Sequence, residues 1–313
     1  ALIPLIDPTD NALVYTSNQY VGGGIYYSSD TAKSVQNIHK LNGQKTSGWE
    51  MAATLHSVNP KVLFYNFLYN SGENKGNIDA CRTYDASKKK VAENISNFRE
   101  SHGLEKYKVY GLFNSKYYPN KLFAYVLHFD KDDENKKIIR HKVFVTENAL
   151  AEADSVKKSW QELEMPINNW IGDVQVDPLK ENIIYVSYTA GKAKPETMFG
   201  DKGLIYALKY KVGKDGSYAL RREIDITRNV PNTQGGRYNI EFPTVDKREL
   251  FLATRTGVWM ADKKVLKGKS RWRKVGQGLP HCKIYGLHYH PTEHILTVGL
   301  FGRGVWRYYL TDE

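Results

Sequence analysis

Six times along the chain, a run of buried-type residues leads to a proline, a few polar residues and a second buried-type run. The first copies read Pro4-Leu5-Ile6-Asp7-Pro8 before Ala12-Leu13-Val14-Tyr15, and Leu55-His56-Ser57-Val58-Asn59-Pro60 before Val62-Leu63-Phe64-Tyr65. The marker position recurs at Pro119, Pro178, Asp246 (Asp in place of Pro) and Pro291. Spacings of about 45 to 68 residues are too long and too irregular for a solenoid of short units and fit a β-propeller. The expected fold is therefore all-β: four-stranded antiparallel blades, about six of them in this chain.

Each repeat offers about four strand candidates separated by turn signals. A single propeller domain over 1–313 is expected, with blades near 1–47, 48–106, 107–167, 168–235, 236–281 and 282–313. The fourth blade carries an insertion from Gly191 to Gly203. The expected helix is Asn148 to Asp154, and Phe98 to Lys106 is a charged connector able to coil briefly. The sixth blade shows three strands, and Ala1 already opens an inner strand. The strand count thus predicts a piece before Ala1, making a ring of seven or eight blades, or a companion chain that completes the ring, because an open sheet edge invites association.

Composition narrows the function classes. With 41% apolar and 25% charged residues the 313-residue chain is globular. A net charge of +11 suggests nucleic acid only if it clusters on one face. Here Lys and Arg spread over every repeat, with short runs such as Lys88-Lys89-Lys90 at expected hairpin tips, so no nucleic-acid partner is expected. Two cysteines, Cys81 and Cys282, build no disulfide framework. No apolar run is long enough to span a bilayer. The 22 tyrosines suit strands and also surfaces that bind sugars or peptides.

The fifth repeat, Gly257-Val258-Trp259-Met260-Ala261-Asp262 with Trp272-Arg273-Lys274-Val275 and Gly278-Leu279-Pro280, resembles a blade of the BNR or Asp-box propellers. That group includes sialidases, sortilin-type receptors and xyloglucan-active glycoside hydrolases of family 74. Gly302-Arg303-Gly304-Val305-Trp306-Arg307 is similar to the closing blade of secreted bacterial members. Ser28, Asp30 and their neighbours match the box, with Ala32 for its Gly and Val35 for its Trp; Thr83-Tyr84-Asp85 and Asp262 keep less of it. The resemblance implies a structural turn at each box and an extracellular, cell-surface or periplasmic setting. Arg228-Asn229-Val230-Pro231 departs from the sialidase arginine element, and no arginine triad can be picked out.

A second register in the repeat carries the site hypothesis. An aromatic precedes or opens most inner strands: Trp49, Tyr110, Trp170, Tyr238 and Tyr285. On a propeller such loops converge at one mouth of the central channel, where aromatics with nearby carboxylates and amides suit a glycan or protein ligand. Glu50, Asp173 and Glu241 beside them are the candidates for paired catalytic carboxylates. The alternative role for the aromatics is packing between blades. His281, His288, His290 and His294 have the composition of a metal site, but no third ligand stands at a fixed spacing. Asp130, Asp132, Asp133 and Glu134 have the oxygen density for Ca²⁺ without the loop glycine and distal glutamate of an EF-hand, so a solvated hairpin tip is expected and no cofactor. Three functions stay open: a non-catalytic propeller binding a glycan or protein segment, a β-glucan hydrolase of the family 74 type, and a scaffold subunit of a larger assembly.

Overall fold

The computed structural model describes residues 5–7, 9–10, 12–17, 25–38, 52–69, 78–87, 93–189, 204–231, 239–241, 249–276, 278–282, 284–290 and 293–310. They form six antiparallel sheets, each strand pairing with the next in sequence, which is the blade order of a β-propeller. The chain divides into two compact units, 1–165 and 166–313, of three sheets each.

In the first unit, sheet one holds β1 (Leu5–Ile6), β2 (Val14–Ser17), β3 (Ile25–Ser28) and β4 (Gln36–Asn37). Sheet two holds β5 (Ala53–Leu55), β6 (Val62–Tyr69), β7 (Ile78–Asp85) and β8 (Glu93–Asn94). Sheet three holds β9 (Tyr107–Asn114), β10 (Leu122–Lys131), β11 (Lys137–Thr146) and β12 (Gln161–Leu163). In the second unit, sheet four holds β13 (Ile171–Asp177), β14 (Lys180–Tyr188), β15 (Ile205–Val212) and β16 (Tyr218–Asp225). Sheet five holds β17 (Asn239–Glu241), β18 (Glu249–Thr254), β19 (Gly257–Asp262) and β20 (Arg273–Val275). Sheet six holds β21 (Ile284–His290), β22 (Ile295–Leu300) and β23 (Gly304–Tyr309), and among the described residues it has no fourth strand. The expected insertion Gly191 to Gly203 lies outside the described residues.

Second strands such as β10 and β14 are buried on both faces, which is why they read as continuous apolar runs rather than alternating ones. The layers between sheets are aromatic. Tyr15, Tyr27, Tyr65 and Tyr84 pack sheet one against sheet two, and Phe64, Phe98, Phe144 and Trp160 pack sheet two against sheet three. In the second unit, Phe251, Met260, Tyr289 and Leu296 join sheets five and six. Much of the tyrosine excess is thus wedge material: Tyr15, Tyr65, Tyr125, Tyr185, Tyr188, Tyr210 and Tyr289 are fully buried. Such rings remove roughly 150–250 Å² each from water, a gross gain of ~4–6 kcal/mol at ~25 cal/mol/Å². Some of their hydroxyls find partners inside: Tyr15 donates to the Lys61 carbonyl at 3.1 Å and Tyr185 to Asp177 Oδ2 at 3.0 Å.

The loop from first to second strand is held by one acceptor side chain in four sheets. Asp7 Oδ1 accepts from Thr9 N and Asp10 N, His56 Nδ1 from Val58 N and Asn59 N, Ser115 Oγ from Tyr118 N, and Asp177 Oδ1 from Leu179 N and Lys180 N. In sheets one to three this residue's own N–H closes a loop of equal length, onto Leu13, Val62 and Lys121 carbonyls. The proline is therefore the visible part of the repeat, and the acceptor is the part that shapes the turn. Asp177 does more. Lys263, from sheet five, places Nζ at 2.7 Å from Oδ2, and the Tyr185 hydroxyl donates to the same oxygen at 3.0 Å. This buried pair ties sheet four to sheet five.

The turn leaving the third strand uses an aspartate in sheets one, two, four and five: Asp30, Asp85, Asp215 and Asp262 each accept a nearby backbone N–H. Thr146 does this in sheet three. Ala32 adopts φ 64°, a left-handed conformation that costs an L-residue roughly 1–2 kcal/mol and that glycine adopts freely.

Two short helices connect strands. α1 (Phe98–His102) falls in the charged connector, seating Phe98 in the core. The second helix lies further on than expected: α2 spans Ala153–Ser159, because Asn148 to Ala151 are spent in a turn whose Ala149 N–H bonds the Asn120 carbonyl. No described helix is long and apolar enough to cross a membrane.

Candidate functional site

First strands adjoin within each unit, β5 with β9 in the first, and β13 with β17 and β17 with β21 in the second. Three of these strands carry a β-bulge at the aromatic register. In β9 the pairing skips Tyr110, since Gly111 faces Tyr125 and Val109 faces Val126. In β21 it skips Tyr285, between Ile284 facing Leu300 and Gly286 facing Gly299. In β13 it skips Gly172, two residues after Trp170. A bulge leaves one residue out of the ladder and re-aims its neighbours, a device frequent beside functional sites.

In the first unit, Tyr110 is half-buried. Its ring meets Tyr125 edge-on at 5.6 Å, and Lys108 Nζ lies 5.7 Å from its centre. Behind it the Tyr125 hydroxyl and His141 Nδ1 are 2.6 Å apart. Burial pushes His141 down to about 4, which keeps the ring neutral near pH 7. A Cβ at Gly111 would crowd the Phe113 ring at 3.0 Å, so a larger residue there needs that ring to shift.

In the second unit, Trp170 is half-buried, and its carbonyl accepts from Thr189 N at 2.8 Å. Three residues on, Asp173 is only 6% exposed. Its Oδ1 accepts from Val174 N at 2.8 Å and its Oδ2 from Ile240 N at 3.0 Å, joining β13 to β17. Both oxygens thus hold backbone amides. Trp49, Glu50 and Tyr238, and the side chains of Glu241 and Tyr285, lie outside the described residues.

The other candidate clusters are engaged locally. Asp130 pairs with Arg140 at 2.7 Å, a bond that holds its carboxyl below the usual range. Asp132 accepts from Glu134 N and Lys136 N, and Glu134 pairs with Lys136. His281, His288, His290 and His294 are exposed, and His294 Nδ1 lies 3.0 Å from the Tyr289 hydroxyl. Among the described residues no three His, Cys, Asp or Glu side chains converge as metal ligands. Cys81 and Cys282 are free thiols.

The sequence reading missed the fourth-strand tryptophans. Trp160 precedes β12 and donates Nε1–H to the Ile95 carbonyl, the residue just after β8, at 2.8 Å. Trp272 precedes β20 and donates to the Ile226 carbonyl, just after β16, at 2.7 Å. The shared order of Trp, two polar residues and an aliphatic, Trp160-Gln161-Glu162-Leu163 and Trp272-Arg273-Lys274-Val275, was the available signal.

No family model matches this chain, and no curated protein matches it. Solved structures do. A structure described as YCF48 bound to D1 peptide is 11% identical with a TM-score of 0.52, over 96% of this chain and 75% of that one. The Dos1 propeller is 11% identical with a TM-score of 0.53, over 99% of this chain and 68% of that one. An ancestral GH74 enzyme aligns at 12% identity with a TM-score of 0.44, over 97% of this chain and 47% of that one, a likeness too weak to support an argument. At these identities the first two show the fold: the chain is a β-propeller, with six blades among the described residues.

Proposed function

We propose that the chain is a non-catalytic propeller that binds a protein segment, with Trp170 of the second unit among the residues that receive it. The observation that carries this reading is the state of Asp173. It is the one candidate catalytic carboxylate whose side chain is described, and both its oxygens are taken by backbone amides of two strands. A general acid or base needs a carboxyl within reach of substrate, with the second carboxyl across the bond to be broken. Asp173 instead holds the inner layer together and leaves a half-buried tryptophan beside it. The bulge at Gly172, two residues after Trp170, supports the binding reading, because a bulge on an inner strand re-aims its neighbours. The degenerate Asp-box-like turns fit a structural role for the repeat.

The test has two arms. Reducing-end release is measured on xyloglucan and other β-glucans, and binding is measured on an array of extended peptides. The expected result is no sugar release above a protein-free control, with peptide binding that weakens in a Trp170→Leu protein that still melts like the parent. Sugar release, or retention on polysaccharide with no peptide bound, contradicts the proposal.

A further inference from the structure

Sheets one and four carry the same loop aspartate, and its second oxygen meets different surroundings in each. Asp7 stands two residues after Leu5, which faces Tyr15, and Asp177 stands two after Gln175, which faces Tyr185. The two carboxylates, and the two tyrosines, are therefore equivalent. Asp7 spends Oδ1 on its own loop, accepting from Thr9 N and Thr9 Oγ1 at 2.7 Å and from Asp10 N at 3.2 Å. Asp177 uses Oδ1 in the same way, and its Oδ2 has the Tyr185 hydroxyl at 3.0 Å and the Lys263 ammonium at 2.7 Å. Lys263 directly follows Asp262, which ends β19 and faces Glu249 at the start of β18.

Sheet two has the same corner with a different residue in it. Asp85 ends β7, faces Val62 at the start of β6 and accepts from Ser87 N, as Asp262 accepts from Lys264 N. The next residue, in the place of Lys263, is Ala86, which packs into the layer between sheets one and two and brings no charge to Asp7. Tyr15 gives its proton to the Lys61 carbonyl at 3.1 Å, and that carbonyl also accepts from Ala86 N at 2.9 Å. Its hydroxyl oxygen keeps its acceptor capacity. Burial first, then Tyr84 and Asp7, push the Tyr15 hydroxyl up, which places Asp7 within electrostatic reach of it. Asp7 is 1% exposed, and its Oδ2 is buried with no hydrogen-bond partner among the described residues. A buried carboxylate oxygen is stable only when a donor or a counter-ion meets it.

We propose that Asp7 Oδ2 and the Tyr15 hydroxyl form a binding site for a monovalent cation, an alkali-metal ion or ammonium. The cation ties sheet one to sheet two as the Lys263 ammonium ties sheet four to sheet five. One carboxylate oxygen beside a neutral hydroxyl matches a single positive charge. A divalent ion calls for more oxygen ligands, several of them anionic, and among the described residues no three His, Cys, Asp or Glu side chains converge. Potassium and ammonium are close in size, so an ion of either kind suits a position that the equivalent blade fills with a lysine head group. This goes beyond the binding reading above, since it involves neither Trp170 nor a peptide.

The test is urea denaturation of the intact protein at pH 7 in potassium, ammonium, sodium and choline acetate of equal ionic strength. The expected midpoint is higher by about 0.5 M or more in potassium or ammonium than in choline, and it rises saturably with the ion's concentration. The ion that saturates at the lower concentration is the one the site prefers. Thallium-205 NMR of the folded protein gives a second readout, a bound thallium signal that potassium displaces. Asp7→Asn, which keeps an acceptor oxygen for the loop, and Ala86→Lys, which carries its own ammonium, both abolish the response. Asp215→Asn, the loss of an equal charge on an exposed loop, leaves it unchanged. Equal midpoints in all four salts, the result for a water molecule on Asp7, overturn the proposal. So does the absence of a displaceable thallium signal, or a potassium response that survives both Asp7→Asn and Ala86→Lys.

Discussion

His56 and His141 show how single side chains couple the first unit to pH. Burial lowers both below the ordinary imidazole value, His141 to about 4. His56 accepts two loop amides at Nδ1, and His141 Nδ1 bonds with the Tyr125 hydroxyl. A base depressed in the fold binds its proton more readily when unfolded, so the unfolded state holds more protons between pH 6.5 and about 4 and stability falls as pH drops through that window. The full shift at His141 corresponds to about 3 kcal/mol, and partial hydration of the ring discounts it to about 1–2 kcal/mol. Urea denaturation at pH 7 and pH 4.5 checks this. The His141→Gln and His56→Asn proteins should each lose less stability on acidification than the parent; an equal loss removes the histidines from the explanation. Asp30 acts in the opposite range. Bonds from Ser34 and Ser28 hold it down at about 2, so the protection it offers disappears only near and below pH 4.

At the scale of elements, the molecule repeats three devices: an acceptor that shapes the first loop, an aspartate that shapes the last, and a tryptophan that leads the fourth strand. Replacing Trp160 or Trp272 by Ala should cost about 3–5 kcal/mol, the range for a buried aromatic, and Phe should recover most of the packing while leaving the Ile95 or Ile226 carbonyl without its donor. Chemical denaturation of the four variants measures this, and a cost under 1 kcal/mol would show the tryptophans to be peripheral. Prolines, turn residues and apolar runs made the blades readable, because backbone pairing and burial impose short-range patterns. The bulges were not readable. They arise from how β9 and β21 meet their neighbours, and Tyr110 or Tyr285 looks the same in sequence whether paired or skipped. Asp173 likewise read as a catalytic candidate, since its partner amide at Ile240 lies 67 residues away. The α2 helix starts beyond the expected span because a long-range bond to Asn120 outweighs local helix propensity at Ala149.

At the scale of the molecule, each unit contributes three blades, and the last of them stops one strand short among the described residues. Five sheets cover the third strand with a fourth, and in the sixth, among the described residues, valine, tryptophan and tyrosine side chains face outward. The binding proposed for this molecule is placed at the bulged inner strand β13, beside Trp170. Hydrogen–deuterium exchange across residues 169–177, with and without a saturating peptide bound, tests this account most directly. Amides around the β13 bulge at Gly172 should slow by about tenfold or more as the peptide covers them. Unchanged exchange along β13 while the peptide is bound would contradict it.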